Sequence, residues 1–341
     1  MVMRIKYGSL LLLLGLVFVF AACDDEDYNV PEGVRNLTND CIKRSLGPNV
    51  VGNEIAFAYA MALPPDLGNL SSVRVEASIA GASGTYLEHR SFYTHNGGIV
   101  PSTGEVREGG ADIGIVVGAP SVTNGKVTEV TFVKDTCAAT LRYYYVIPET
   151  AKGQSVTFQF SATASNGQSV SYNMGPYEVG KIEMKREIVL TNNSYFSISD
   201  FEVYDETQAA ANPDKIDLVY LYRTPFAGIN FGHALVSPGA DSEFLPGVTL
   251  PQGVNNQTYI RKDSGSRDQH LARDRYGIFV DDVDLYEIDL STQPFYSIGL
   301  QNESGAWIET ADGKYRAYLY VNLVDNAAGT MTVSVKRLLI E

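Results

Sequence analysis

The densest group of side chains that could do chemistry is a run of carboxylates in the second half of the chain. Asp281, Asp282 and Asp284 stand together, and Glu287 and Asp289 follow closely. Such oxygens could hold Ca²⁺, and two carboxylates facing one cleft could hydrolyse a glycosidic bond. The run lacks the central Gly and closing Glu of a calcium-binding loop. It is equally typical of a solvated strand edge, where charges discourage pairing with another strand.

Aromatic side chains are the second candidate, because sugar C–H faces stack on exposed rings while polar neighbours bind the hydroxyl groups. The chain has one tryptophan, near a turn, and 21 tyrosines. Three consecutive tyrosines at residues 143–145 must point to alternate faces of a strand. Tryptophan and tyrosine also anchor protein cores, so both interpretations stay open. The residues assigned to a glycan-binding surface are Trp307, Tyr143, Tyr145, Tyr315 and Arg273.

Two of the three cysteines predict a disulfide. Cys41 and Cys137 have 95 residues between them, and in an oxidising compartment such a pair is typically bonded. By the chain-entropy model a loop of this length contributes about 4–5 kcal/mol. Two buried thiols are the alternative. The four histidines are scattered, so no pair has the spacing of a zinc site.

The N-terminus has the organisation of an export signal. Arg4 and Lys6 precede an apolar run that ends at Phe20, and small residues follow. The run is too short for a membrane-spanning helix, which needs about 20 apolar residues. The stretch Phe20–Cys23 resembles the lipobox of bacterial lipoproteins, with Phe20 at the usual Leu position. This resemblance implies cleavage before Cys23, acylation of its thiol and membrane attachment through the lipid alone. Simple cleavage that leaves a free thiol is the alternative.

An acidic run directly follows the cysteine. Four like charges, Asp24–Asp27, are typical of a solvated tether. The run also resembles the surface-export signal of lipoproteins from Gram-negative glycan-foraging bacteria, which implies an outer-membrane protein facing the exterior.

The charge balance excludes one class of partner. The chain has 26 basic and 40 acidic residues. Removal of residues 1–22 takes away two basic residues and leaves 24 against 40, or −16. Phosphate backbones repel so acidic a chain, so nucleic acid is excluded as a partner.

Short alternating runs between turns predict an all-β fold. Residues 54–61 (EIAFAYAM) and 72–79 (SVRVEASI) alternate with period two, as half-buried strands do. Asn124-Gly125 and Asn166-Gly167 each lie between two such runs and predict hairpins. Residues 267–276 are the best helix candidate of the exported part.

The spacing of the strands indicates two tandem β-sandwiches, Ig-like or jelly-roll-like. We predict a signal peptide over 1–22, the lipidated cysteine and tether over 23–36, and sandwich domains over 37–183 and 184–341. Residues 223–258 are rich in Gly, Pro and Asn and predict a long irregular loop. Together with Trp307 and the 267–276 segment, this loop marks the expected binding region.

The stretches LRYYYVIPETAKGQSVTFQFSATASNGQSVSYNMGPYEV and NPDKIDLVYLYR, with Cys23 and Asp24–Asp27, are similar to accessory lipoproteins of Sus-type polysaccharide-uptake systems. The resemblance implies a non-catalytic surface lipoprotein that binds an extracellular polysaccharide or glycoconjugate beside an outer-membrane uptake complex.

Two alternatives belong to other functional classes. A fimbria-type subunit would polymerise by strand donation after cleavage at Arg35 or Arg44, and a Cys41–Cys137 disulfide would oppose this. A glycan hydrolase would need two converging carboxylates.

Overall fold

A computed structural model describes residues 35–93, 98–99, 106–107, 113–224, 231–264, 266–273 and 277–340. Residues Leu37–Glu341 form one compact unit. The predicted signal peptide, Cys23 and the acidic run Asp24–Asp27 lie outside the described residues. Within the described part, no helix has the length and apolar character needed to cross a membrane.

The described chain is mostly antiparallel β-structure, because its short apolar runs alternate and end at turn residues. The strands of the first half are β1 (Thr38–Lys43), β2 (Glu54–Ala62), β3 (Leu70–Ala77), β4 (Tyr86–Leu87), β5 (Arg90–Tyr93), β6 (Gly98–Ile99), β7 (Val106–Arg107), β8 (Ile113–Val116), β9 (Val122–Asn124), β10 (Val127–Thr131), β11 (Ala138–Val146), β12 (Ser155–Ala164) and β13 (Ser169–Glu178).

The second half adds ten strands and three short α-helices among the described residues. The strands are β14 (Glu183–Thr191), β15 (Tyr195–Ser197), β16 (Glu202–Tyr204), β17 (Leu218–Arg223), β18 (Gly232–Val236), β19 (Tyr259–Asp263), β20 (Tyr296–Leu300), β21 (Gly305–Glu309), β22 (Tyr315–Asp325) and β23 (Thr330–Leu339). The helices are α1 (Glu206–Ala211), α2 (Gln269–Ala272) and α3 (Asp282–Glu287). Single 3₁₀ turns occupy Pro65–Leu67, Glu149–Ala151, Pro213–Lys215 and Ser242–Phe244.

Two sheets form the first sandwich. Sheet A has the order β1-β2-β11-β4, and sheet B has the order β13-β12-β3-β10-β9. Alternate residues of β2, β11 and β12 point inward and build an aromatic core in which Phe57 contacts Phe158 and Phe160. Strands β5 and β8 pair separately as a two-stranded ribbon, as do β6 and β7.

The second sandwich has covered outer faces. Sheet C has the order β14-β23-β22-β21-β19, and sheet D has the order β16-β15-β17-β18-β20. The core between them is a separate apolar cluster. A segment that contains α2 and α3 covers the outer face of sheet C. Residues from α1 to Val254 cover the outer face of sheet D. Strand β17 is therefore apolar on both faces, which explains its unbroken sequence LVYLY.

The all-β sandwich prediction is confirmed, as are both hairpins: β9 pairs with β10 and β12 pairs with β13. The predicted helix over 267–276 is wrong in length, since α2 ends at Ala272 and Arg273 adopts a left-handed conformation. The predicted irregular loop 223–258 contains strand β18. The boundary between residues 183 and 184 stays a prediction.

The predicted disulfide is wrong, because both cysteines are free. Strands β1 and β11 flank β2: Cys41 lies opposite Tyr59, whereas the carbonyl of Cys137 accepts a hydrogen bond from Leu63 N. The cysteines are thus offset by roughly 13 Å along β2 and two strand spacings, about 10 Å, across the sheet. A disulfide needs Cα atoms within about 7 Å.

Candidate functional site

A trough runs along the outer face of sheet A, because beyond Glu54 strand β2 carries only alanine there. The strand alternates large and small residues, and Ala56, Ala58, Ala60 and Ala62 occupy the outer face. Their large neighbours, such as Phe57, fill the core. Six residue steps separate the first and last of these alanines, which makes the floor roughly 20 Å long.

Longer side chains on the neighbouring strands form the walls. On the β1 side, Thr38 and Asp40 lie opposite Ala62 and Ala60. On the β11 side, Thr140 lies opposite Ala60. The floor is therefore recessed between two rows of longer side chains, of which the β1 row also includes the exposed Ile42 opposite Ala58.

The β5–β8 ribbon closes the trough at one end. The hydroxyl of Ser91 accepts a hydrogen bond from Thr140 N at 3.0 Å, which fixes the ribbon to β11. Phe92 and Tyr93 then line the cavity together with Ile115 of β8. The guanidinium of Arg142 stacks on the Phe92 ring at 3.9 Å, so the ring has a set position.

A partly exposed aromatic pair lies at the opposite end. Tyr86 of β4 faces Tyr144 of β11, and their rings stack with centroids 4.9 Å apart and an interplanar angle of 20°. The nearby ion pair of Glu88 and Arg90 is bidentate, with distances of 3.0 and 2.8 Å. The hydrogen bonds that Arg90 donates lower the pKa of the Glu88 carboxyl.

The cavity at the ribbon end of the trough has a volume of about 630 Å³, is open to solvent and includes Ala60 and Ala62 of the floor. It combines an apolar floor and aromatic walls with a few hydroxyl and carboxylate groups, the pattern of a small-molecule or oligomer site. Among its described lining residues Asp40 is the only carboxylate. The arrangement can bind a ring with a C–H face, and it offers no second carboxylate for hydrolysis.

Most residues assigned from sequence do not contribute to this surface. Tyr143 and Tyr145 are buried in the first core, and only the middle tyrosine of the three reaches the outer face. Trp307 is 8% exposed and packs on Tyr318 at 4.7 Å beneath the covering segment of sheet C. The prediction that these three rings contact a ligand is therefore wrong.

The two remaining residues have structural partners. Tyr315 is half-buried, and the guanidinium of Arg337 lies over its ring at 5.1 Å. Arg273 is exposed at the end of α2 and forms an ion pair with Glu187 at 3.0 Å. Neither lies at the trough.

The carboxylate run forms helix α3 rather than a strand edge. Asp281 is its N-cap and accepts hydrogen bonds from Val283 N and Asp284 N, and the Asp284 carboxylate accepts one from Asp281 N. Asp282 instead accepts from the backbone N–H of Lys181 and Ile182. The oxygens thus serve separate backbone groups, and within the described part of the chain no group of three His, Cys, Asp or Glu side chains could hold a metal ion.

The most strongly perturbed carboxyl lies elsewhere, in a cleft of about 50 Å³ beside sheet D. Burial, followed by the negative charge of Asp312, raises the pKa of Asp217 to about 7. A shifted carboxyl in a cleft is a candidate for function, but this cleft is too small for a sugar ring. Asp217 accepts a hydrogen bond from Ile198 N at 2.7 Å, which is a structural role.

The signal for the trough was present in the sequence. EIAFAYAMA alternates large apolar residues with alanine, and this pattern predicts a strand with one unusually smooth face. The bulky walls could not be placed, because β11 and the ribbon are distant in sequence and their register depends on the fold.

Comparisons with known proteins identify relatives without an assigned activity. Residues 34–179 match the DUF4466 model and residues 180–340 match the DUF8576 model, both described as domains of unknown function. A crystal structure of a DUF4466 family protein from Parabacteroides merdae is 45% identical, with a TM-score of 0.80, and the match covers 90% of this chain and 100% of that chain. No curated protein matches the chain.

A much weaker likeness joins the chain to a 35 kDa C-terminal fragment of the major pilin of Streptococcus agalactiae. The identity is 10% and the TM-score is 0.27, over 87% of this chain and 91% of that chain. A TM-score this low is no sign of a shared fold.

Proposed function

The chain belongs to the DUF4466 family, and from the geometry of its trough we propose that it is a non-catalytic protein that binds an extracellular glycan or glycoconjugate. The observation that carries this proposal is the recessed alanine floor of β2 between aromatic and hydroxyl-bearing walls. A floor roughly 20 Å long suits several sugar rings in a row better than a single small molecule.

Each part of the trough has a role in this proposal. In the Tyr86–Tyr144 pair, the ring faces that are not used in the mutual stack offer contact to sugar C–H groups. Phe92 contributes apolar surface at the other end, where the Arg142 guanidinium lies over its ring. The hydroxyl of Thr140 and the carboxylate of Asp40 are placed to exchange hydrogen bonds with sugar hydroxyls. Alanine leaves the floor low enough for the ligand to reach both walls.

The cellular setting belongs to the same proposal. The lipobox-like Phe20–Cys23 and the acidic run Asp24–Asp27 support a lipid-anchored protein on the exterior of the outer membrane. There it would hold glycan for a neighbouring uptake complex of the Sus type. Labelling of intact cells with a membrane-impermeant reagent tests this location: a protein inside the outer membrane stays unlabelled until the cells are opened.

Affinity electrophoresis through polysaccharide gels tests the binding itself. The chain from residue 24 contains the whole compact unit and is run against a panel of neutral and acidic glycans. Selective retardation by one glycan is expected, and Tyr144→Ala should weaken it about tenfold, which corresponds to about 1.4 kcal/mol.

A substitution that fills the alanine floor tests the trough more directly. Ala60→Phe places a ring in the trough and should abolish the retardation. Ser171→Phe is the matched control, because Ser171 is an exposed small residue of β13 in sheet B. If the Ala60→Phe variant is still retarded, the glycan binds outside the trough. If no glycan of the panel retards the unsubstituted chain, the glycan proposal is wrong.

The position of β1 favours strand donation as a second candidate function. Strand β1 is the edge of sheet A, it follows the predicted tether directly, and no disulfide holds it. Cleavage after Arg44 would release it and leave the β2 edge open to a strand from another copy. Trypsin treatment followed by size-exclusion chromatography distinguishes the two candidates, since only a strand-donating subunit forms polymers.

A further inference from the structure

A second concave surface lies between helix α3 and the end of β23. Its volume is about 580 Å³, and its lining includes Lys181, Val283, Tyr286, Glu287 and Leu339. It belongs to the second sandwich, whereas the trough belongs to the first. The two surfaces share no lining residue.

Tyr286 presents its ring to solvent from a fixed backbone. The side chain is 68% exposed, although tyrosine normally packs at least its ring against the protein. Its carbonyl accepts a hydrogen bond from Arg316 Nη1 at 2.6 Å, and Arg316 Nε donates to Glu309 at 2.7 Å. Leu285, the preceding residue, is fully buried and anchors helix α3.

Two aliphatic side chains extend the ring into an apolar platform. Val283 lies three residues before Tyr286, so both occupy one face of α3. Val283 is 58% exposed and Leu339 is 52% exposed. Because exposed apolar groups of this size cost free energy in water, a grouping of three beside a concavity indicates a ligand surface.

Hydrogen-bonding groups of both kinds surround this platform. The ammonium of Lys181 and the carboxylate of Glu287 are exposed and form no hydrogen bond or ion pair with another described residue. Asp282 is different, because its carboxylate accepts hydrogen bonds from Lys181 N at 2.6 Å and Ile182 N at 3.3 Å and so fixes the rim. A free donor and a free acceptor thus line the same concavity as the aromatic ring.

We propose that this surface is a second glycan-binding site, which holds one pyranose ring by its C–H face on Tyr286 and by hydrogen bonds to Lys181 and Glu287. The ligand class rests on the proposed function, but the residues are independent of the trough. A folded protein partner fits less well, because the platform has only three apolar side chains, two on a six-residue helix and one at the end of β23, and charges of both signs at its rim.

Two sites on one compact unit would act together on a long polysaccharide. A polysaccharide that reaches both sites binds the second site intramolecularly. Such linkage strengthens overall binding by about 10²–10⁴-fold. A short oligosaccharide gains nothing from the second site. The dependence of affinity on glycan length therefore reflects both sites.

Saturation-transfer NMR with methyl glycosides of glucose, galactose and mannose tests the second site by itself. The chain from residue 24 is used with Ala60→Phe, which blocks the trough. Saturation transfer to the ring protons of at least one glycoside is expected to remain. Adding Tyr286→Ala should abolish it, whereas Tyr286→Phe should keep it within about threefold because the ring is retained.

The outcomes separate the two sites. Loss of all transfer in Ala60→Phe alone, or transfer unchanged by adding Tyr286→Ala, overturns the second site and leaves the trough proposal standing. No transfer to any glycoside in the unsubstituted chain, together with no retardation on polysaccharide gels, overturns both. Tyr286 is exposed, so its substitution does not unfold the protein, and circular dichroism verifies this.

Discussion

Asp217 shows at the scale of one residue how burial sets a protonation state. Its carboxyl is almost completely buried at the start of β17, and its pKa rises to about 7 from an ordinary value of 3.8, mainly through desolvation. Between these values the folded chain holds a proton that the unfolded chain has lost. The contribution of Asp217 to stability is therefore present at low pH and is lost as pH rises from about 4 to about 7.

Asp217→Asn should consequently stabilise the protein at pH 8 and change little at pH 4. The gain at pH 8 is at most about 4 kcal/mol, since each pKa unit corresponds to about 1.4 kcal/mol. Asparagine keeps an oxygen that can accept the hydrogen bond from Ile198 N. Urea unfolding across this pH range measures the difference, and an equal effect at both pH values would contradict the assignment.

Trp307 and Tyr286 have opposite surroundings, and the tryptophan differs from its predicted role at the surface. The tryptophan is buried under the segment that covers sheet C, and the tyrosine is exposed. Trp307→Ala should destabilise the fold by about 3–5 kcal/mol, while Tyr286→Ala should change stability by less than about 0.5 kcal/mol. Chemical denaturation followed by circular dichroism checks both. If the Trp307→Ala variant is stable but no longer binds glycan, Trp307 belongs to the binding surface.

At the scale of elements, local patterns predicted strands well and covering segments poorly. Asn166-Gly167 specifies the β12–β13 turn by backbone preference alone, and Gly167 has a φ of +85°. Helix α3 instead depends on a cap from Asp281 and on the burial of Leu285. The spacing from Asp281 to Asp284 is that of a capping box, a signal that the alternating appearance of the sequence conceals.

Long-range contacts account for the other failures. Trp307 is buried only because a segment about 25 residues earlier in the sequence returns over sheet C. The walls of the trough come from four separate parts of the first half, namely β1, β4–β5, β8 and β11. Neither arrangement has a local sequence pattern, whereas the alanine floor of β2 does.

A buried ion pair fastens the covering segment to sheet C. Lys336 of β23 and Asp268, the N-cap of α2, are both fully buried with a distance of 2.7 Å, and the ammonium also donates to the carbonyl of Val280. The carboxylate accepts further hydrogen bonds from Leu271 N and Val280 N. The Asp268 carboxylate thus accepts three hydrogen bonds, and the Lys336 ammonium donates two.

Lys336→Met should destabilise the protein by about 3–5 kcal/mol, because it leaves the Asp268 charge buried without its partner. Lys314→Met is the control, since Lys314 forms an exposed pair with Asp312 at 2.8 Å and exposed ion pairs contribute little to stability. Thermal and urea unfolding measure both variants. Similar losses of unfolding free energy in the two variants would show that the buried pair stabilises the protein no more than the exposed pair does.

At the scale of the whole molecule, the loop between β1 and β2 connects the two sandwiches. Val50 packs into the apolar cluster of the second sandwich. Asn49 O accepts a hydrogen bond from Gly180 N at 2.8 Å, and Asn53 Oδ1 accepts one from Arg186 Nη2 at 2.9 Å. These contacts join distant parts of the chain, so we expect the two sandwiches to unfold in one transition.

Two glycines of this loop make that expectation testable. Gly47 and Gly52 have nearly the same left-handed conformation, with φ of +77° and +80°. A Cβ atom at Gly52 would meet nothing within 4 Å, whereas one at Gly47 would lie 2.5 Å from Phe279 Cδ1. Alanine at either position thus costs about 1–2 kcal/mol of backbone strain, and only Gly47→Ala also disturbs the packing against the second sandwich.

Gly47→Ala should therefore be the more destabilising variant, by about 1–3 kcal/mol beyond Gly52→Ala. Because the clash is at the junction, it should also increase hydrogen exchange of amides near Phe279 while Gly52→Ala leaves them protected. Urea unfolding and hydrogen-exchange mass spectrometry measure the two effects. Equal stability and equal exchange in both variants would mean that the loop does not hold the sandwiches together, and the single transition would then need another cause.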